Sequence, residues 1–287
     1  MATVLLGLGS NLGEREATLR AALVEIEALP DVRVRRASEF YRSKPTGGPP
    51  GQGEFLNAAA VIETKTPPLR LLAEFQDIES RYGRTKTNER WAPRPLDIDV
   101  LLYDDEVQET TMLTLPHPRM SFRRFVLQPA AEIAARTLHP VIGWSVERLL
   151  LHLNSASDQV AIVSPSEQHR RHFAEFIAAR FGARPVDRPT FATAEQFWPS
   201  ELTSWLKINS TSDASTLSAG KPTGLPYAAA AFPKLTILLD AESAPNVAKS
   251  QWSAVVRRPG RGPTLRLQES EAATFQAEIA AAIEAVW

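Results

Sequence analysis

Between Arg94 and Tyr103 the chain reads Arg-Pro-Leu-Asp-Ile-Asp-Val-Leu-Leu-Tyr, and this stretch restricts the fold more than any other. Leu96, Ile98, Val100 and Leu102 alternate with Asp97 and Asp99, the period of a strand, so the apolar set faces a core while both carboxylates share the other surface. Such a strand requires a sheet with one buried face.

The segments before it supply that sheet. Thr3 to Leu8 reads as a buried strand, followed by Ser10-Asn11-Leu12-Gly13-Glu14 as turn and capping residues. Leu19, Ala22, Leu23 and Ile26 then fall on one helical face. Val32 to Tyr41 and Phe55 to Glu63 read as strands. They are separated by a loop from Lys44 to Gly53 so rich in Gly and Pro that mobility is expected. Pro67-Pro68 opens a second helix with Leu72, Phe75, Ile78 and Tyr82 on one side. The order strand, helix, strand, strand, helix, strand is a split βαβ pattern, hence an α+β sandwich with helices on one face of the sheet. Leu113 to Leu127 and Glu147 to Leu153 are expected to wrap its edge.

After Asn154-Ser155-Ala156-Ser157-Asp158, of linker composition, the pattern restarts. Gln159 to Val163, Leu235 to Leu239 and Thr264 to Leu267 read as strands. Ser164-Pro165-Ser166-Glu167 reads as a capping box with Pro at the first helical position. Phe275, Ile279, Ile283 and Val286 mark a closing helix. The expected organisation is a domain at 1–153, a linker at 154–158 and a smaller α/β domain with a parallel sheet at 159–287.

Composition excludes several functions. The 32 basic and 33 acidic side chains nearly cancel, so an extended polyanion such as nucleic acid is not an expected partner. With no cysteine there is no disulfide, thiolate nucleophile or cysteine zinc site. No apolar run is long enough to span a bilayer, and the first residues lack a signal peptide, so no membrane association and a cytoplasmic location are expected. Within this balance Arg81, Arg84, Lys86, Arg90 and Arg94 form a local basic patch holding one acid, Glu89.

Two carboxylates on one strand face repel unless a cation lies between them, and a hard oxygen-coordinated ion such as Mg²⁺ is the usual solution. Two solvated strand residues are the plain alternative. Guanidinium forks beside the pair favour the metal, because carboxylates for a cation and arginines for phosphate oxygens are what phosphoryl transfer requires. Other motifs carry less. Gly7-Leu8-Gly9-Ser10-Asn11-Leu12-Gly13 misses the dinucleotide fingerprint by one residue and reads as a structural turn. Gly220-Lys221 lacks the rest of a phosphate loop. His169 and His172 read as a solvated helix face.

Gly9-Ser10-Asn11-Leu12-Gly13, Phe40-Tyr41-Arg42-Ser43, Phe55-Leu56-Asn57-Ala58, Gly83-Arg84, Arg90-Trp91-Ala92-Pro93-Arg94-Pro95-Leu96-Asp97-Ile98-Asp99 and Leu115-Pro116-His117-Pro118-Arg119-Met120 together resemble the hydroxymethyldihydropterin pyrophosphokinases of folate biosynthesis, in order and spacing. The resemblance covers about residues 1 to 153. It implies a ferredoxin-like fold that moves the terminal diphosphate of ATP onto the hydroxymethyl oxygen of the reduced pterin, releasing AMP, with two Mg²⁺ ions. It also implies roles. Asp97 and Asp99 would hold both metals, and Arg84 and Arg94 would clamp phosphates. Glu79, Lys86, Arg90, His117 and Arg123 would lie against the nucleotide. Trp91 and Phe125 would sandwich the pterin ring, with Asn57 offering it donor and acceptor and Ser43, Thr46 and Phe55 completing the pocket. The loop from Lys44 and the Arg84 to Arg90 segment would close over the substrates.

This chain departs from the family pattern at Lys86, where a second arginine is frequent, and at Phe55, where Tyr is frequent. It also departs at Pro118, at Lys44 and in a longer loop near Gly51. The later half resembles, at a coarser level, deoxynucleoside-kinase-like chains, but Ser164-Pro165-Ser166-Glu167 stands where a phosphate loop belongs. A P-loop-kinase-like scaffold without Walker A is expected there, serving packing or homo-oligomer formation. An active or regulatory nucleotide-binding role stays open as the alternative.

Overall fold

The structure, a computed structural model, describes residues 1–83, 91–186, 203–208, 233–240, 262–268 and 274–287. The chain divides into two compact units, Met1–Leu150 and Leu151–Trp287.

In the first unit, β1 (Ala2–Ser10), α1 (Arg15–Glu27), β2 (Val32–Ala37), β3 (Tyr41–Ser43), β4 (Phe55–Thr64), α2 (Pro68–Arg81) and β5 (Asp97–Tyr103) follow in chain order. The main sheet runs β2-β4-β1-β5 with every neighbour antiparallel, and β3 pairs with the first residues of β4. Val4, Leu6, Leu8, Ala58, Ala60, Ile62, Ile98 and Val100 point to one side. There they meet Leu19, Ala22 and Ile26 of α1 and Leu71, Phe75 and Ile78 of α2 in one buried cluster. On α2 the residue that faces inward is Leu71, with Leu72 only half-buried.

The sheet is covered on both faces, not on one. A hairpin of β6 (Gln108–Glu109) and β7 (Thr114–Leu115) leads through a 3₁₀ turn (Met120–Phe122) into α3 (Arg124–Ala134). This helix packs on β4, β3 and β1 across the sheet from α1 and α2. Its buried residues include Val126, Leu127, Ala130 and Ile133. The expected edge wrapping is therefore a second layer. A β-bulge interrupts the alternation on β5: the β1–β5 register slips between Leu5 and Leu6, so Leu102 pairs with Leu5 and turns away from the face used by Ile98 and Val100. Leu102 is buried, but outside the cluster formed with α1 and α2.

The strand expected over Val32 to Tyr41 is broken as well. Its ladder shifts between Val34 and Arg36, and at Ser38 the side-chain hydroxyl, rather than a backbone carbonyl, accepts the Ala59 N–H at 2.9 Å. A hydroxyl standing in for the ladder ends β2 and lets β3 start afresh. Before α1 neither Ser10 nor Asn11 serves as cap: the N-cap is Glu14, without a side-chain bond.

The second unit contains β8 (Gln159–Val163), α5 (Glu167–Phe181), β9 (Arg184–Pro185), β10 (Thr203–Lys207), β11 (Leu235–Asp240), β12 (Thr264–Gln268) and α6 (Phe275–Val286); α4 (Val146–Ser155) precedes β8. Asn154 and Ser155, expected in a linker, complete α4, where the Ser155 hydroxyl donates to the Leu151 carbonyl at 2.6 Å. The sheet order is β12-β11-β8-β10-β9. β8, β11 and β12 are parallel, but β10 runs antiparallel to both β8 and β9, so the sheet is mixed rather than parallel. Ser166, not Ser164, caps α5: its hydroxyl accepts the His169 N–H at 3.2 Å, which places Pro165 outside the helix. Lys234, largely buried, meets Asp158 at 2.7 Å, and the Trp287 indole N–H donates to the same carboxylate at 2.9 Å.

Candidate active site

The register places the candidate residues in rows across one sheet face. Tyr41, Asn57, Gly9 and Asp97 lie side by side on β3, β4, β1 and β5, and Ala59, Gly7 and Asp99 form the next row. Residues in register share a face, so Ser43, Phe55, Asn57, Asp97 and Asp99 all belong to the surface opposite the α1–α2 core. With strands about 4.8 Å apart, the amide of Asn57 and the carboxylate of Asp97 originate roughly 10 Å from each other. Glycine separates them. A Cβ on Gly9 would stand 3.7 Å from Asn57 Oδ1 and 3.9 Å from the Phe55 ring, so the missing side chain leaves the floor open.

Asn57 is buried, and its amide nitrogen donates to the Tyr41 carbonyl at 3.1 Å and to Ser43 Oγ at 2.9 Å. Both amide protons are thereby engaged. Asn57 presents an acceptor to the pocket, not the donor and acceptor expected of it, while Ser43, accepting from Asn57, keeps a hydroxyl proton to donate.

On the β5 side, Arg94 Nη1 donates to Asp97 Oδ1 at 2.9 Å, with both side chains about three-quarters covered. Asp99 is the more open acid, and its Oδ2 lies 3.9 Å from His117 Nε2. His117 reaches that place because its N–H donates to the Leu101 carbonyl at 2.9 Å, docking the segment after β7 onto β5. The Arg119 N–H donates to His117 Nδ1 at 3.2 Å, which puts the ring proton of a neutral imidazole on Nε2, toward Asp99. Burial first, then Arg123 and Arg119, push His117 down to about 3 against the opposing pull of Asp97. It is neutral at physiological pH.

Glu79 lies on the other side of β5. It is buried in α2, and its Oε1 accepts the Ile98 N–H at 2.7 Å, satisfying the strand between the two aspartates. Trp91, half-buried, has φ 57°, a left-handed backbone uncommon for a bulky residue. Gly48, at φ 80°, packs on it so closely that a Cβ would meet the Trp91 carbonyl at 2.5 Å. Gln52 holds the rest of this loop by donating to the carbonyls of Gly47 and Pro49, each at 3.2 Å, and it accepts from Asn11 at 3.3 Å. Thr46 is half-buried in the same loop. Arg123, the N-cap of α3, lies over the ring of Phe125 in the helix's first turn, 5.5 Å from its centre. Arg84, Lys86 and Arg90 lie outside the described residues.

Sequence reasoning missed Asn11. Its N–H donates to the Arg94 carbonyl at 3.2 Å and its Oδ1 accepts the Arg94 N–H at 2.8 Å. The signal was the Gly-rich turn after β1, whose asparagine served no cap.

Fold and site together describe an antiparallel α+β unit presenting a carboxylate pair beside arginine, with glycine between it and an amide-lined floor. The family model for 7,8-dihydro-6-hydroxymethylpterin-pyrophosphokinase matches residues 5–135. The 2-amino-4-hydroxy-6-hydroxymethyldihydropteridine pyrophosphokinase of Haemophilus influenzae is 44% identical over 140 residues, 49% of this chain and 86% of that protein. The protein of the same name from Aquifex aeolicus is 40% identical over 141 residues, again 49% of this chain and 86% of its own length. The chain belongs to this family. The crystal structure of HPPK-DHPS in complex with substrates is similar at 12% identity and a TM-score of 0.41, over 61% of this chain; the match spans less than half of that protein, 44%.

Proposed function

We propose that this protein transfers the diphosphate of ATP to the hydroxymethyl group of 6-hydroxymethyl-7,8-dihydropterin, giving AMP and the pterin diphosphate used in folate biosynthesis. Family membership supports the reaction class, and the observation that carries it is the row Asn57, Gly9, Asp97: recognition floor, gap and carboxylate in one line. The strand order β2-β4-β1-β5, with α1 and α2 on one face, supports reading this unit as a ferredoxin-like sandwich.

The donor set fits Mg²⁺. Two carboxylates at alternate positions supply hard oxygens, and no group of three or more His, Cys, Asp or Glu suited to a metal occurs among the described residues. Phosphate oxygens and water would complete the sphere, as Mg²⁺ prefers. Asp97 and Asp99 would hold two such ions, which when bound offset triphosphate charge. Arg94 then exchanges Asp97 for phosphate oxygens, a bidentate partner it suits equally well. Neutral His117 directs an N–H, not a charge, at the nucleotide side, with Arg123 behind it. Arg84, Lys86 and Arg90 would add cations.

On the pterin side, the Asn57 acceptor and the Ser43 donor read a polar edge, and Phe55, Thr46, Trp91 and Phe125 enclose the flat ring. The loop held by Gln52 would close with the segment after Gly83, excluding water that could otherwise take the diphosphate. We read the domain limits as 1–153 and 159–287. The later domain is read as a P-loop-kinase-like scaffold without a phosphate loop, serving packing or homo-oligomer formation, and the protein as cytoplasmic. Among the described residues no helix is long and apolar enough to cross a membrane.

The test is AMP release from ATP and Mg²⁺ by the full chain. Release that depends on the reduced hydroxymethylpterin supports the reading; ADP, or release indifferent to the pterin, contradicts it.

A further inference from the structure

β3 is three residues long and pairs with the start of β4. So short a strand has too few ladder bonds to fix its own position. Yet it supplies Ser43 and the Tyr41 carbonyl, the two acceptors that orient the Asn57 amide. The anchor comes from another element. Glu132, late in α3, accepts the Glu39 N–H at 3.1 and 3.3 Å and the Tyr41 hydroxyl at 3.0 Å. Beside it, Arg36 Nη1 donates to the Ile133 carbonyl at 2.9 Å. Burial, then Glu132 itself, raises Tyr41 above the usual tyrosine range, which keeps the hydroxyl a donor.

The other end of α3 carries Phe125, two turns earlier and so about 10 Å along the axis. One helix thus joins a ring at one end to the strand that sets the amide floor at the other. We propose that Glu132 is a positioning residue. By tying α3 to β3 through Tyr41 and Glu39, it sets the gap between Phe125 and the Ser43–Asn57 floor. That gap governs affinity for a flat heteroaromatic substrate and leaves the phosphate side alone. The inference rests on Asn57 and Phe125 forming the pterin subsite.

The experiment is calorimetry on the full chain. It measures binding of 6-hydroxymethylpterin in the presence of Mg²⁺ and a nonhydrolysable ATP analogue, and binding of the analogue by itself. Amide exchange over residues 41–43 is followed alongside. Glu132→Ala should weaken pterin binding about tenfold, as loss of one charge-assisted anchor implies, with the analogue within about twofold and exchange at 41–43 raised. Tyr41→Phe should act in the same direction, more weakly, and add little in the Glu132→Ala background, because the two share one interaction. Glu132→Gln, which keeps an acceptor, should recover most of the affinity. Unchanged pterin binding, or pterin and analogue weakening together with the unfolding midpoint, overturns the proposal. A wild-type chain that binds no pterin defeats the substrate assignment instead, and unaltered exchange at 41–43 in Glu132→Ala would then still refute the anchor.

Discussion

Asn11 and Arg94 are joined backbone to backbone at 3.2 Å and side chain to backbone at 2.8 Å, so the turn after β1 fixes the arginine that meets Asp97. The same asparagine donates to Gln52 in the Gly/Pro-rich loop. Asn11→Ala leaves the Arg94 N–H without its acceptor, at a cost of about 1–3 kcal/mol. Turnover should fall and local exchange around Arg94 should rise, while circular dichroism stays native. Steady-state rates and exchange on one preparation check this.

Gly9→Ala probes the floor. The added methyl group meets only ordinary contacts, at 3.7 and 3.9 Å, so stability should change by less than about 1 kcal/mol. The methyl group nevertheless occupies the space between Asn57 and Asp97. KM for the pterin should rise well before KM for ATP does. Equal effects on both substrates would show that the gap is not the pterin seat.

Gly48→Ala should behave differently, because the methyl group would collide with the Trp91 carbonyl at 2.5 Å and φ is 80° there. The loop must move off Trp91, and the KM for the pterin should rise together with exchange over residues 47–53. Unaltered exchange would contradict the packing of Gly48 on Trp91.

His139 is buried, and its Nδ1 accepts the Ile142 N–H at 3.3 Å. Burial lowers it from 6.5 to about 4. A depressed histidine favours folding when neutral: the contribution is complete above pH 6.5 and is lost as pH falls toward 4, roughly 3 kcal/mol in all. His139→Asn keeps an acceptor but cannot titrate. Denaturant unfolding at pH 7 and pH 4.5 should show a smaller acid loss in the variant than in the wild type.

Much of this was legible beforehand, and the failures have causes. β5 alternates from Asp97 to Val100, so Asp97 and Asp99 followed from parity alone, whereas β1 and β4, buried on both faces over most of their length, were legible as apolar runs. Parity failed beyond Leu101, where one bulged residue turns Leu102 out of the cluster formed with α1 and α2. α3 went unread because Pro129 sits inside it, yet its burial makes the second face of the sheet. The Asn57 amide could not be oriented from sequence, since its partners, Tyr41 and Ser43, are set by a strand pairing. The left-handed turn at Trp91 left no mark in composition either.

The most direct test is the rate of AMP formation from ATP, Mg²⁺ and the reduced hydroxymethylpterin in wild type, Asp97→Asn, Asp99→Asn and Arg94→Ala. Wild type should produce AMP and pterin diphosphate in equal amounts. Each variant should stay folded and lose about two orders of magnitude or more in kcat, because these groups act on charge that develops during transfer. Near-normal kcat in both aspartate variants would contradict the account at its centre.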